Sequence, residues 1–198
     1  MSKSREYLMF VGRAVQNPSK VGAVLPTSEH VARAVADVVP SHGPSTVLEL
    51  GPGTGALSDP IRERVAPGSR HLAVEIDPEL VRYLNRTKPW LEVIHGDASD
   101  LRKLLADAGV DRVDAVISSI PWTLLPGDKQ RELLHEAAAV MTPGGVFTTV
   151  TYLTTLWRAQ TKEFIGALDE TFDEVFPRSA VWRNVPPARV YACRRPKG

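Results

Sequence analysis

The segment VLELGPGTG, residues 47–55, decides the fold of this chain. It begins with a short apolar run broken by one carboxylate, which is typical of a buried parallel strand. The glycines that follow permit a sharp turn and let backbone N–H groups approach a ligand closely. A helix starting near Ala56 would present further free N–H groups at the same point. The segment therefore predicts a strand, a ligand-binding turn and a helix.

Two more carboxylates come at the ends of apolar runs. Glu75 ends a run that begins at Leu72, and Asp97 follows the run LEVIH, residues 91–95. The carboxyl ends of parallel strands meet at one edge of a sheet, where ligands bind. There Glu75 can accept hydrogen bonds from both hydroxyls of a ribose, and Asp97 from the amino group of an adenine. Each motif alone also fits an ordinary loop, but together, in strand order, they predict a site for an adenosyl ligand.

The first strand indicates which adenosyl ligand binds. Glu49 would oppose the pyrophosphate of a dinucleotide, whereas a carboxylate suits the ammonium group of a methionine moiety. The glycines Gly51, Gly53 and Gly55 also depart from the Gly-x-Gly-x-x-Gly spacing of NAD sites. The sequence therefore predicts S-adenosylmethionine as the cofactor and a methyl-transferring enzyme. The candidate cofactor residues in these motifs are Glu49, Gly51, Gly53, Gly55, Glu75, Ile76, Asp97 and Ala98.

Composition favours one enzyme domain without metal. The chain has 198 residues, of which 43% are hydrophobic and 24% charged, enough for one sizeable core. The single cysteine, Cys193, excludes an internal disulfide and a multi-cysteine metal site. A net charge of +1 argues against nucleic acid as a partner. Without a signal peptide or an apolar run of roughly 20 residues, we expect a cytoplasmic protein.

Helical and strand patterns alternate along the chain, which predicts a Rossmann-like α/β fold. We expect seven strands with helices on both faces of the sheet. Since no helical pattern separates the last two strands, they should form a hairpin, leaving an antiparallel last strand as in class I methyltransferases. The predicted helices are residues 29–38, 57–65, 79–86, 101–108, 129–141 and 155–171. The predicted strands are residues 46–50, 71–75, 91–94, 113–117, 145–151, 174–182 and 188–193.

The fourth strand runs into the candidate catalytic segment Ser119, Ile120, Pro121 and Trp122. This segment resembles the Asn-Ile-Pro-Tyr type motif of adenine- and amine-directed methyltransferases. The resemblance implies that Ser119 and the carbonyl before Pro121 hold the target amine, with Ser119 also close to the cofactor. The Trp122 ring would attract a cationic amine. Ser119 lacks the amide of the usual Asn, which disfavours adenine as the target, and Trp122 also fits a core residue after a turn.

Residues 1–27 are predicted to be a separate segment in front of a methyltransferase domain at residues 28–198. Apolar residues between positions 5 and 18 fall on one helical face, and the segment is basic. Such an amphipathic helix can lie on an anionic membrane surface. It can equally dock its apolar face on the enzyme as a lid that covers the cofactor.

Two flanking motifs point to a family. Together with residues 119–121, the motifs NPSKVGAVLPTS (17–28) and VWRNVPPA (181–188) resemble bacterial phospholipid N-methyltransferases, which are related to rRNA adenine dimethylases. The resemblance implies methylation of phosphatidylethanolamine by a peripheral protein on the inner face of the membrane. It also implies that Thr27 and Ser28 line the methionine end of the cofactor. Ser28 is equally a good N-cap, and Asn184 fits either the active-site mouth or a turn.

The chemistry we expect is in-line attack of an amine on the sulfonium methyl group, with the protein mainly positioning the two reactants. No histidine is assigned as a general base. Two other functions fit the sequence. One is methylation of a soluble small molecule under an N-terminal lid. The other is methylation of rRNA adenine, which should bring a basic groove that the near-neutral charge does not indicate.

Overall fold

The computed structural model describes residues 28–197. The predicted amphipathic helix and Thr27 lie outside these residues. The strands are β1 Thr46–Leu50, β2 Arg70–Glu75, β3 Glu92–His95, β4 Val113–Ser118, β5 Met141–Tyr152, β6 Phe172–Pro177 and β7 Ala188–Pro196. The helices are α1 Glu29–Ala36, α2 Ser58–Arg64, α3 Pro78–Thr87, α4 Leu101–Asp107, α5 Gly127–Ala139 and α6 Ala159–Thr171. Short 3-10 turns occupy Ala98–Asp100, Trp122–Leu124 and Leu153–Thr155.

One sheet of seven strands has the order β3-β2-β1-β4-β5-β7-β6. Strands β1 to β5 pair in parallel, and β7 runs antiparallel to both β5 and β6. The predicted Rossmann-like sheet with an antiparallel last strand is therefore confirmed. Strands β1 to β6 all end at the same side of the sheet, which we call the carboxyl edge. The glycine turn, Glu75, Asp97 and the segment 119–122 each lie at or just after one of these strand ends.

The central strands are apolar because helices cover the sheet on both faces. On one face, helices α4, α5 and α6 bury side chains such as Leu101, Leu133 and Phe164 against the sheet. On the other face, α1 and α2 bury Val35 and Ile61. These two cores hold the strand ends in fixed positions, so the loops at the carboxyl edge start from a rigid frame.

Several strand and helix boundaries in the structure differ from those predicted from the sequence. The predicted sixth strand, residues 174–182, ends at Pro177, and beyond it only Val181 keeps an isolated bridge to Ala188. Strand β5 begins at Met141, where a helix was predicted, because Met141 pairs with Val113 of β4. Apolar residues at such junctions fit a helix or a strand equally well, so the pattern alone does not locate the boundary. No helix among residues 28–197 is long and apolar enough to cross a membrane.

Candidate functional site

The turn after β1 uses three glycines in the left-handed region. Gly51, Gly53 and Gly55 have φ values of 63°, 61° and 80°, which glycine adopts without steric cost. A Cβ atom on Gly55 would overlap the end of the Lys88 side chain, which would have to move, and would lie 3.1 Å from Cδ2 of Leu84. A Cβ on Gly53 would meet no atom within 4 Å. The backbone at Gly53 therefore faces open space at the carboxyl edge, where a ligand can approach it.

Glu75, at the end of β2, binds this turn directly. Its Oε2 accepts the N–H of Gly53 at 3.1 Å, and its Oε1 accepts the N–H of Asp77 at 3.0 Å. The side chain is 3% exposed. Burial raises the pKa of the carboxyl group, although the backbone hydrogen bonds act in the opposite direction. Each carboxylate oxygen retains a further lone pair, so the residue fits the two hydroxyls of a ribose placed against the turn.

Asp97 lies at the end of the neighbouring strand β3. The backbone N–H of Gly96 donates to the carbonyl of Glu75 at 3.0 Å, which holds the two strand ends together. Oδ1 of Asp97 accepts from the N–H of Ser99 at 2.9 Å and from its hydroxyl at 2.6 Å, thereby capping the turn Ala98–Asp100. Within residues 28–197 no hydrogen bond reaches Oδ2. This oxygen can accept from an amino group, and half-buried Ile76 and Ala98 flank the same edge.

Glu49 makes a buried contact that the sequence did not indicate. Its side chain is 1% exposed, and its Oε1 lies 2.7 Å from Nε2 of His71. His71 pairs in register with Val47, so the Glu49 carboxylate leans toward the beginning of β1 and away from the glycine turn. The other carboxylate oxygen, Oε2, is buried and has no hydrogen-bond partner among residues 28–197, so the contact of Glu49 with a methionine ammonium group stays a prediction. Periodicity shows that a residue in a strand is buried, but not which neighbour its side chain meets.

The segment after β4 lies beside the glycine turn. The N–H of Ser119 donates to the carbonyl of Leu50 at 2.9 Å. A Cβ on Gly51 would lie 3.6 Å from Cγ1 of Ile120, so the two loops are in close contact. Ser119 is exposed and Pro121 is half-buried. Ser119 and Ile120 therefore stand next to the candidate cofactor turn, as the sequence predicts for an acceptor segment.

Trp122 requires a correction. Its side chain is 1% exposed, and its ring stacks on Phe164 with 4.9 Å between centroids. Nε1 of Trp122 donates to Oγ of Ser118 at 3.1 Å. The turn Trp122–Leu124 directs the ring into the core beneath α6. The structure favours the alternative of a core tryptophan, because neither ring face is open to a substrate amine.

Gln130 is a residue of this region that sequence reasoning missed. It is fully buried on α5, and its Nε2 lies within donor distance of three backbone carbonyls. These are Trp122 O at 2.8 Å, Leu125 O at 3.2 Å and Gln160 O at 3.3 Å. Gln130 thereby ties the segment after β4 to α5 and α6. Its spacing from Leu133, Leu134 and Ala137 on the apolar face of the helix was the signal available.

The two flanking motifs meet at Ser28. Its Oγ accepts the N–H of Val31 at 3.4 Å as the N-cap of α1, and its own N–H donates to Oδ1 of Asn184 at 3.0 Å. Nδ2 of Asn184 donates to the carbonyl of Pro186 at 2.7 Å. Asn184 therefore bonds its own turn, one of the two predicted alternatives, and also anchors the start of the described chain. No group of three metal-ligating side chains occurs among residues 28–197.

Comparisons with known proteins agree with this geometry. The family model described as "Methyltransferase domain" matches residues 47–145. The chain is 28% identical to ornithine lipid N-methyltransferase of Singulisphaera acidiphila over 193 residues, which covers 96% of both proteins. It is 35% identical over 118 residues to ribosomal RNA small subunit methyltransferase A of Geobacter metallireducens. That match covers 57% of this chain and 42% of the relative.

A solved structure supports the same fold. The O-methyltransferase from Bacillus cereus, in complex with SAH, matches with a TM-score of 0.67 and 13% sequence identity. The match covers 98% of this chain and 91% of that one. At 13% identity this similarity supports a shared fold and gives no information about the acceptor.

Proposed function

Since this chain belongs to the methyltransferase domain family and is an S-adenosylmethionine-dependent methyltransferase of class I, we propose that it methylates the amine of phosphatidylethanolamine at a membrane surface. The observation that carries this proposal is the match of 96% of the chain to a lipid N-methyltransferase. The flanking motifs 17–28 and 181–188, which resemble phospholipid N-methyltransferases, lie within the same chain.

We assign the cofactor contacts to the carboxyl edge of β1, β2 and β3. The carboxylate of Glu75 accepts the ribose hydroxyls, and Oδ2 of Asp97 accepts the adenine amino group. The open backbone at Gly53 is assigned to the methionine end. When bound, S-adenosylmethionine supplies an electrophilic methyl group on a sulfonium. Glu75, Asp97 and the turn after β1 would hold it beside Ser119, whose N–H donates to the carbonyl of Leu50 at the start of that turn.

The acceptor amine is placed by the segment after β4. The hydroxyl of Ser119 and the carbonyl of Ile120 accept hydrogen bonds from the amine, which turns its lone pair toward the methyl carbon. Methyl transfer would form the C–N bond as the C–S bond of the sulfonium breaks, with the electron pair of that bond left on sulfur. The proton of the ammonium form passes to water before attack. In this arrangement the protein acts chiefly through proximity and orientation.

Ornithine lipid is the second candidate acceptor, because the end-to-end relative carries that substrate in its name. It also presents an amine on a membrane lipid, so the same geometry applies. An rRNA adenine acceptor has weaker support: the chain spans 42% of that relative's length, and Ser119 stands where the amide of an Asn is usual.

The test is transfer of labelled methyl groups from S-adenosylmethionine to vesicles of phosphatidylethanolamine with some anionic lipid. Matched vesicles carry ornithine lipid instead, and vesicles of phosphatidylcholine serve as the blank. Labelled mono- to trimethylated phosphatidylethanolamine is the expected product. Label in ornithine lipid alone would transfer the assignment to that acceptor. Label in neither lipid, with cofactor binding intact, would overturn a lipid acceptor.

The role of residues 1–27 is a separate proposal, that this segment binds the membrane. Vesicle sedimentation of the full chain against a chain lacking residues 1–20 tests it. Equal sedimentation of the two, together with weaker cofactor retention in the truncated chain, would indicate a lid instead.

A further inference from the structure

Large apolar side chains are exposed mainly at one place. Among residues 28–197, five large hydrophobic side chains are exposed, and four of them lie at the carboxyl edge. Trp157 and Trp182 are each 73% exposed, Val185 is 80% exposed and Phe176 is 51% exposed. The fifth, Tyr83, is 38% exposed on α3. Because this edge also holds the candidate active site, the clustering calls for a functional reason.

Three of these side chains belong to two loops in contact, and the fourth, Phe176, lies at the end of β6 beside them. Strand β5 ends at Tyr152, β6 ends at Pro177 and β7 begins at Ala188, so the loops 153–158 and 178–187 leave the sheet on one side. The N–H of Leu153 donates to the carbonyl of Pro187 at 2.8 Å, which joins them. We call residues 153–158 and 176–187 the aromatic rim. Its tip is held in place because Asn184, 2% exposed, bonds both Pro186 and Ser28.

The rim is also uniformly basic. It contains Arg158, Arg178 and Arg183, and residues 153–158 and 176–187 include no Asp or Glu. None of the ion pairs formed within residues 28–197 involves these three arginines. A groove of about 480 Å³ runs beside them and is lined by Arg178, Arg183 and His30. Arg158 lies over the ring of Trp157, 5.7 Å from its centroid. Guanidinium groups that lack an acidic partner beside exposed tryptophans complement an anionic, partly apolar surface.

We propose that the aromatic rim docks on a bilayer containing anionic phospholipids. The rings of Trp157 and Trp182 enter the interface at headgroup level, where tryptophan is enriched in membrane proteins. The rim arginines pair with lipid phosphates, in line with the attraction of basic segments to anionic leaflets. The inference rests on the proposed function to the extent that a lipid amine must reach Ser119 from the bilayer. Docking at the rim brings the bilayer to the edge where Ser119 lies.

Tryptophan fluorescence tests this contact separately from the N-terminal segment. The chain has four tryptophans, and none falls in residues 1–27. Trp122 is buried, and Trp90 is half-buried before β3, at the opposite edge of the sheet. Vesicles of phosphatidylcholine and phosphatidylglycerol, without any amine acceptor, are prepared with and without bromine-labelled acyl chains. We expect the tryptophan fluorescence of the full chain to shift to the blue and to be quenched by the bromine-labelled chains, and both effects should require phosphatidylglycerol. A Trp157→Phe, Trp182→Phe variant should lose the quenching.

Vesicle sedimentation measures the contribution of the rim. We expect the Trp157→Ala, Trp182→Ala variant to partition at least about tenfold more weakly than the unaltered chain, given the apolar area that two rings bury. Tyr83→Ala, which removes an exposed aromatic ring outside the rim, should partition like the unaltered chain. Both changes are at exposed positions, and an unchanged melting temperature establishes that the variants are folded.

The outcomes separate this proposal from the proposed function. Rim docking is overturned if the full-length protein does not sediment with the vesicles. It is also overturned if the full-length protein sediments without tryptophan quenching and to the same extent as the Trp157→Ala, Trp182→Ala variant. Quenching on these vesicles combined with no methyl transfer to lipid amines in detergent micelles overturns the acceptor and leaves the docking surface. Methyl transfer to lipid amines in micelles without tryptophan quenching on vesicles overturns rim docking and leaves the lipid acceptor.

Discussion

Replacing Glu75 by Gln tests the cofactor site most directly, because it keeps the shape of the side chain and removes its charge. Both carboxylate oxygens already accept backbone N–H groups, from Gly53 at 3.1 Å and from Asp77 at 3.0 Å. Glutamine offers only one acceptor oxygen, and its NH₂ group must face one of these N–H donors. The variant therefore loses charge assistance at the ribose and loosens the glycine turn.

The magnitude follows from the number of bonds affected. A hydrogen bond to a charged group contributes about 1.5–3 kcal/mol, against about 1 kcal/mol for a neutral one. Loss of charge assistance on two ribose bonds thus costs about 1–4 kcal/mol, or roughly 5- to 1,000-fold in affinity. Removing the buried charge lowers the desolvation cost in the folded chain. This offsets part of the free energy lost where the glutamine NH₂ group faces a backbone N–H donor. We therefore expect a folded variant whose defect is in cofactor binding.

Titration calorimetry with S-adenosylmethionine measures the effect, and Glu79→Gln, on the exposed first turn of α3, is the matched control. Equal affinity of Glu75→Gln and the unaltered protein would refute the assignment of the ribose contact. Retained affinity with a lowered melting temperature would make Glu75 a structural support of the turn only.

The same residue predicts a pH dependence. Burial raises the pKa of the Glu75 carboxyl group above its ordinary value, so it takes up a proton at a higher pH than a free glutamate. Because the ribose hydroxyls donate to the ionised form, affinity should weaken as the pH falls through this raised pKa, and Glu75→Gln should show no such step. For folding the sign is opposite. The contribution of this group to stability is fully present below the unfolded pKa and is lost as the pH rises through the folded pKa.

Three further predictions concern the core and the acceptor segment. Trp122→Ala should lower the free energy of unfolding by about 3–5 kcal/mol, because the ring is buried against Phe164; urea unfolding measures this, and an unchanged midpoint would contradict the core assignment. Gln130→Leu leaves buried carbonyls without their donor, which should lower the free energy of unfolding by about 1–3 kcal/mol for each carbonyl. It also removes the hydrogen bond that holds the acceptor segment at the carbonyl of Trp122. Its kcat should therefore fall more than its cofactor affinity, and an equal loss in both would argue against a positioning role. Burial raises the pKa of the Cys193 thiol to about 12, so alkylation should require unfolding, and fast labelling of the native protein would count against the burial.

The gathering of the candidate cofactor residues at one edge of the sheet was predictable because it depends on chain order. The glycine turn, Glu75 and Asp97 each follow an apolar run, and parallel strands bring such run ends to one edge. Strand β1 was predicted to the residue, since glycine marks where it stops. The end of β6 was misplaced, because Ala180, Val181 and Trp182 continue an apolar pattern, although only one bridge continues the pairing.

The sequence by itself determined the parallel α/β sheet, its reversed last strand and the edge at which a ligand binds, because burial patterns and turn residues act locally along the chain. Only the tertiary structure decided where individual side chains point. It paired Glu49 with His71 and turned Trp122 into the core. It also bonded Ser28 to Asn184, far apart in the chain. Such contacts depend on which elements pack together, and no spacing within a single element records that.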